Sequence, residues 1–176
     1  MPDYPLGSTA TQTPDDIAAA WDRELPGVPT VSIGVITPLR RAAKRLTDDR
    51  RRTLARLGVD AATLDLLSTL RRSGAPWTLT TREITAQTLV TAGAVSQRVA
   101  RAEREGLVTR APSGTGRRAV AVTLTETGHA VVERVVRDLL EHEERLLGAL
   151  DADDRATLGR LLTVLLTTLP TAEEAG

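Results

Sequence analysis

The chain of 176 residues is 41% hydrophobic, carries 23 basic and 23 acidic side chains and has no cysteine. That size supports one core without covalent staples; the missing cysteine excludes disulfides, thiolate metal sites and thiol redox sensing. Two histidines thirteen residues apart, His129 and His142, make no metal-ligand spacing, so neither metal nor cofactor is expected. No apolar run reaches membrane-spanning length, and residues 1–16 lack the basic and apolar regions of a signal peptide, so a cytoplasmic protein is expected.

Taken in order, Thr13-Pro14-Asp15-Asp16 reads as an N-cap, a proline at the first helical position and acids on the helix dipole. The short helix it opens carries Trp21 and ends before Pro26. Val31, Val35, Leu39, Ala42 and Leu46 recur at helical spacing, which predicts a long basic helix to about Leu57, kinked or restarted at Thr37-Pro38 and closed by Gly58. Asp60 caps a third helix through Leu64, Leu67 and Leu70 to Ser73, stopped by Gly74 and Pro76. Thr80 and Glu83 form a capping-box pattern for a short helix to about Thr88, and Thr91 caps a fifth helix to Glu105, with Gly106 as its stop. The period then changes to two. Residues 107–110 and 118–124 predict a hairpin around the tip 111–116. Thr125 caps a long helix with Val131, Val135, Leu139, Leu146 and Leu150 at core spacing. A last, leucine-rich helix follows Asp151 and ends at Pro170.

The predicted fold is therefore mainly α with a small β-hairpin. Residues 1–12 and 171–176 are expected to be tails, 13–58 N-terminal helices that share in dimerisation, 59–125 a winged helix-turn-helix, and 126–170 C-terminal dimerisation helices. The terminal helices are too leucine-rich for a small domain to bury alone, so a homodimer through the N- and C-terminal helices is expected.

Charge is segregated along this order. Residues 39–56 carry a net +6 and residues 82–118 a net +4, whereas residues 133–154 hold eight carboxylates and three arginines. Lys44 is the only lysine, so nearly all positive charge is guanidinium, suited to phosphate and guanine edges; a GC-rich genome accounts for such a composition equally well. Geometry separates the two. At 100° per residue, the fifth helix turns Val95, Val99 and Ala102 to one side, with Gly93, Ala94, Gln97, Arg101 and Arg104 on the other. That outer face, small and then polar and basic, can approach a major-groove floor, with Gln97 suited to adenine and Arg101 to guanine or phosphate. Arg110, Arg117 and Arg118 rim the hairpin where a wing meets phosphates or a minor groove.

This order resembles the MarR family of transcriptional regulators from about Val31 to Leu169, most specifically in "GLVTR" (106–110), "GRRAVAVTLTETG" (116–128) and "LDADDRATLGRLLTVLL" (150–166). The resemblance implies a homodimer of winged domains on a pseudopalindromic operator. It departs at the wing tip, where residues 113–116 lack the acids that commonly precede the family's arginine pair, so either Arg117 or Arg118 can be the minor-groove contact. "AWDRELPGV" (20–28), "LDLLSTLRRSG" (64–74) and "VSQRVARAEREGLV" (95–108) are similar to a urate-responsive subgroup with an added tryptophan-bearing helix. That likeness places an effector site on Trp21, Asp65, Arg72 and Arg98, for a small anionic aromatic, purine-like molecule; Leu25 departs from the subgroup's arginine there. On the residues alone, a solvated face for Asp65 and Arg72 and a core anchor for Trp21 are the favoured reading. Geometry adds that Asp65 and Arg72, about 10 Å apart along one face, suit the lining of one cleft, while Arg98 flanks the apolar face of its helix.

No nucleophile elbow, phosphate loop, dinucleotide fingerprint or zinc motif is present, so no enzyme is expected. The function implied is a ligand-responsive DNA-binding transcriptional regulator, a repressor released by its effector. The alternative is a constitutive DNA-binding or architectural protein without an effector site.

Overall fold

The computed structural model describes residues 12–88, 90–113 and 120–170. The chain falls into two compact units, Met1–Arg56 and Leu57–Gly176.

In the first unit, α1 (Pro14–Glu24) is opened by a complete capping box: the Thr13 hydroxyl accepts from Asp16 N–H, and the Asp16 carboxylate accepts from Thr13 N–H. Helix α2 (Ile33–Leu57) supplies the rest of this unit and ends at the start of the second. Of the kink or restart expected at Thr37-Pro38, the restart does not occur. As the sixth residue of the helix, Pro38 forfeits only the hydrogen bond its missing N–H would make to Gly34, and the 19 residues beyond it continue the same helix. Apolar side chains of this unit stand open, with Val31 89% and Val35 59% exposed.

The second unit contains α3 (Ala61–Arg72), β1 (Thr78–Thr80), α4 (Thr81–Gln87), α5 (Ala92–Arg104), β2 (Val108–Pro112), β3 (Val120–Leu124), α6 (Glu126–Leu146) and α7 (Ala152–Thr168). Each helix starts on an oxygen-bearing N-cap: Asp60, Thr80, Thr91, Thr125 and Asp151 each accept a backbone N–H of the first turn. The hairpin of β2 and β3 belongs to a three-stranded antiparallel sheet in the order β1-β3-β2, with Leu79 opposite Val122 and Val108 opposite Leu124. Its third strand was not expected. After Gly74, a turn in which Trp77 takes φ 55° and its N–H meets the Gly74 carbonyl at 2.6 Å feeds β1. His129 meets the Trp77 ring edge-on, 4.5 Å between centroids, and the Arg71 guanidinium lies 5.4 Å over it.

The core is one cluster: Leu64, Leu66, Leu67 and Leu70 of α3, Ile84 of α4, Val95, Val99 and Ala102 of α5, Val108 and Val122 of the sheet, and Val132, Val135 and Leu139 of α6. Helix α7 stays outside it. None of its residues is buried, and Leu158, Leu161, Val164 and Leu166 are exposed. Among the described residues no helix is long and apolar enough to cross a membrane.

Candidate nucleic-acid interface and effector residues

Two short helices in succession, α4 and α5, followed by the paired strands β2 and β3, place α5 as the outer helix of a helix-turn-helix with a wing. Val95, Val99 and Ala102 bury one stripe of α5, each about 1% exposed, so its opposite side necessarily faces solvent. Gln97, Arg101 and Arg104 are exposed and Ala94 is half-buried, as their angular positions require. Arg110 stands exposed on β2. Arg117 and Arg118 lie outside the described residues.

The arginines differ in their engagement. Gln97 and Arg104 have no side-chain partner among the described residues, whereas Arg101 is held twice. Its Nε donates to Glu105 Oε1 at 2.8 Å and a terminal nitrogen lies 3.0 Å from Asp60 Oδ2. The hydrogen bond to Glu105 and the Asp60 charge push the Arg101 guanidinium further up. On the other flank, Arg110 donates to Glu103, joining β2 to α5; this hydrogen bond holds Glu103 below the usual carboxylate range. Sequence reasoning missed Asp60 and Glu103 as partners. Both carry the needed charge, but which arginine each meets depends on the packing of separate elements.

The residues assigned to an effector are brought together only in part. Arg98 donates to Asp65 Oδ2 at 2.7 Å, bridging α5 to α3, with the two side chains 25% and 46% exposed. Arg72 is exposed and lines a cleft of about 750 Å³ between α3 and α6, with Ser68, Arg71, Glu133, Val136 and Leu140 among its walls. Asp65 does not line that cleft. Trp21 belongs to α1, in the other unit, and is 48% exposed.

Residues 57–119 match the model of the MarR family. Over 147 residues the chain is 29% identical to the HTH-type transcriptional regulator PecS of Dickeya dadantii, covering 84% of this chain and 89% of that protein. Among solved structures it is similar to a mutant MarR from E. coli complexed with operator DNA, at 29% identity and TM-score 0.62, covering 74% of this chain and 95% of that one. It is likewise similar to BpsR of Bordetella bronchiseptica, described with regulation of its DNA binding by 6-hydroxynicotinic acid, at 25% identity and TM-score 0.65, covering 82% and 100%.

Proposed function

We propose that this chain, a MarR-family transcriptional regulator with a winged helix-turn-helix, acts as a homodimeric repressor that leaves its operator when a small planar anion binds. The observation that carries the DNA part is the outer face of α5, where Gln97 and Arg104 stand exposed and unengaged among the described residues beside the small Gly93 and Ala100. A surface of that shape approaches base edges closely, and guanidinium and carboxamide are the groups that read guanine and adenine bidentately. The wing arginines Arg110, Arg117 and Arg118 supply phosphate or minor-groove contacts. Ala94, at the start of the helix, leaves room for the backbone to approach.

Dimerisation is supported by α7, whose Leu158, Leu161 and Leu166 stand exposed among the described residues. Two copies related by a two-fold axis present two recognition helices to a pseudopalindromic site. The dimerisation and DNA-binding regions then correspond to residues 13–58 with 126–170, and to residues 59–125.

The effector reading rests on the Arg98–Asp65 pair. An anion that binds Arg98 competes with Asp65 and repels it, so ligand affinity is highest in a conformation where α5 is no longer tied to α3 at that point. This is the differential affinity that a population shift requires. Arg72 offers a second guanidinium on the α3 face that carries Asp65. BpsR, with its hydroxylated nicotinic acid, is a relative whose regulator is likewise a planar carboxylic acid.

The test is a gel-shift titration on promoter fragments from the gene's own neighbourhood, repeated with purines and aromatic acids. Specific binding lost on adding one such anion supports the whole reading. Affinity that never exceeds that for random duplex sinks the operator assignment. Specific binding unaffected by every anion leaves the constitutive alternative. Arg98→Ala should abolish the ligand response and, because it cuts the same tie between α5 and α3, lower DNA affinity on its own; calorimetric titration follows ligand binding directly.

A further inference from the structure

Arg101 is the residue of α5 that sequence reasoning aims at a base, yet its surroundings direct it elsewhere. Relative to the buried stripe of Val95, Val99 and Ala102, Arg101 sits on the flank that Arg98 also occupies, whereas Gln97 and Arg104 lie near the opposite pole. On that flank the first turn of α3 supplies Asp60. Its carboxylate is itself fixed, because it caps α3 by accepting from Thr63 N–H and Thr63 Oγ1, both at 2.9 Å. Arg101 meets this anchored carboxylate at 3.0 Å and Glu105 of its own helix at 2.8 Å. A hollow of about 340 Å³ opens beside the group, walled by Gly58, Val59, Leu107, Val131 and Arg134. For Arg101 to reach a phosphate or a base edge it must leave two carboxylates, a loss that neither Gln97 nor Arg104 incurs.

We propose that Arg101 is a positioning residue which fixes the recognition helix against the α3 N-terminus through Asp60, so that Asp60, outside the helix-turn-helix, determines DNA affinity while Gln97 and Arg104 do the reading. Together with Arg98–Asp65, the Arg101–Asp60 pair ties α5 to α3 at two points, five residues apart on α3. The inference rests on the chain being a DNA-binding regulator.

The experiment uses the full chain, a random-sequence duplex, and the duplex that the wild-type protein selects from a random library. Arg101→Ala, Asp60→Asn and the double variant are compared with Arg104→Ala, with circular dichroism confirming that each is folded; asparagine caps a helix as well as aspartate does, so Asp60→Asn removes charge and keeps the cap. On random duplex, Arg104→Ala should reduce the slope of log K against log salt by about one, as loss of a phosphate contact does, and Arg101→Ala should leave it unchanged. On the selected duplex, Arg101→Ala and Asp60→Asn should each cost about tenfold, and the Asp60→Asn loss should vanish once Arg101 is gone, the sign of a coupled pair. An Arg101→Ala slope reduced by about one, or losses that simply add, overturns the proposal and returns Arg101 to the DNA. A wild-type chain that binds no duplex overturns the regulator reading itself, and this inference with it.

Discussion

At Gly128 the first turn of α6 passes so close to the wing that a Cβ atom would lie 2.1 Å from the Leu107 carbonyl oxygen and 3.1 Å from Leu124 Cδ2. The neighbouring bonds fix that approach: Thr125 N–H donates to the same carbonyl at 3.1 Å, and Thr125 Oγ1 to the Gly106 carbonyl at 2.7 Å. Backbone cannot yield as a side chain tip can, so Gly128→Ala should destabilise the chain by about 2 kcal/mol or more, in the range of overpacked cores. Chemical denaturation measures this, and an unchanged midpoint would mean that α6 can slide off the wing. The reason for this glycine was invisible in the sequence, where it reads only as the third residue after a cap. Asp65 and Arg98 are assigned to one site by the resemblance, but their direct pairing across 33 positions depends on how α3 and α5 pack.

Among the elements, those set by local chemistry were the ones read correctly. Every helix start that the sequence assigned to a capping residue, Thr13, Asp60, Thr80, Thr91 and Thr125, is capped by that residue, because the cap oxygen and the N–H that donates to it lie within three positions. Strand β1 escaped notice since three residues carry no period; it exists through pairing with β3, more than 40 residues on, and through the Thr78–Thr123 hydroxyl contact at 2.8 Å. The caps also carry a pH dependence. Hydrogen bonds from the Thr80 N–H and hydroxyl hold the Glu83 carboxyl below its ordinary 4.5. Burial pushes Asp60 up, but the Thr63 bonds and the Arg101 charge outweigh it and leave it below 3.8. For groups lowered in the folded state, the stabilisation is complete above the unfolded values and is lost as pH falls through the folded ones. Thermal stability should thus be level near neutrality and decline below about pH 4.5, the unfolded glutamate value. Glu83→Gln should shallow that decline, and an unaltered pH profile would remove the α4 cap from the account. Thr80→Ala should cost about 1 kcal/mol at pH 7, read from the same melts.

For the whole molecule, the leucine-rich last helix is the feature that its own chain leaves unfinished. Removing residues from Asp151 onward should yield a monomer in sedimentation and abolish binding to the selected duplex, because one half-site supplies only part of the contacts. A truncated chain that still sediments as a dimer would move the interface elsewhere, to the open apolar side chains of the N-terminal helices. The sequence made the excess of leucine plain but could not show that α7 contributes nothing to the core of its own unit. That detail has a consequence for dosage. If α7 is covered only by a second copy, then at low concentration each lone chain carries its apolar face in water, and the fraction assembled falls with dilution. If the chain acts on DNA only as a dimer, as proposed, then where most protomers are single its occupancy of a DNA site follows roughly the square of protomer number, and halving the supply lowers that occupancy about fourfold.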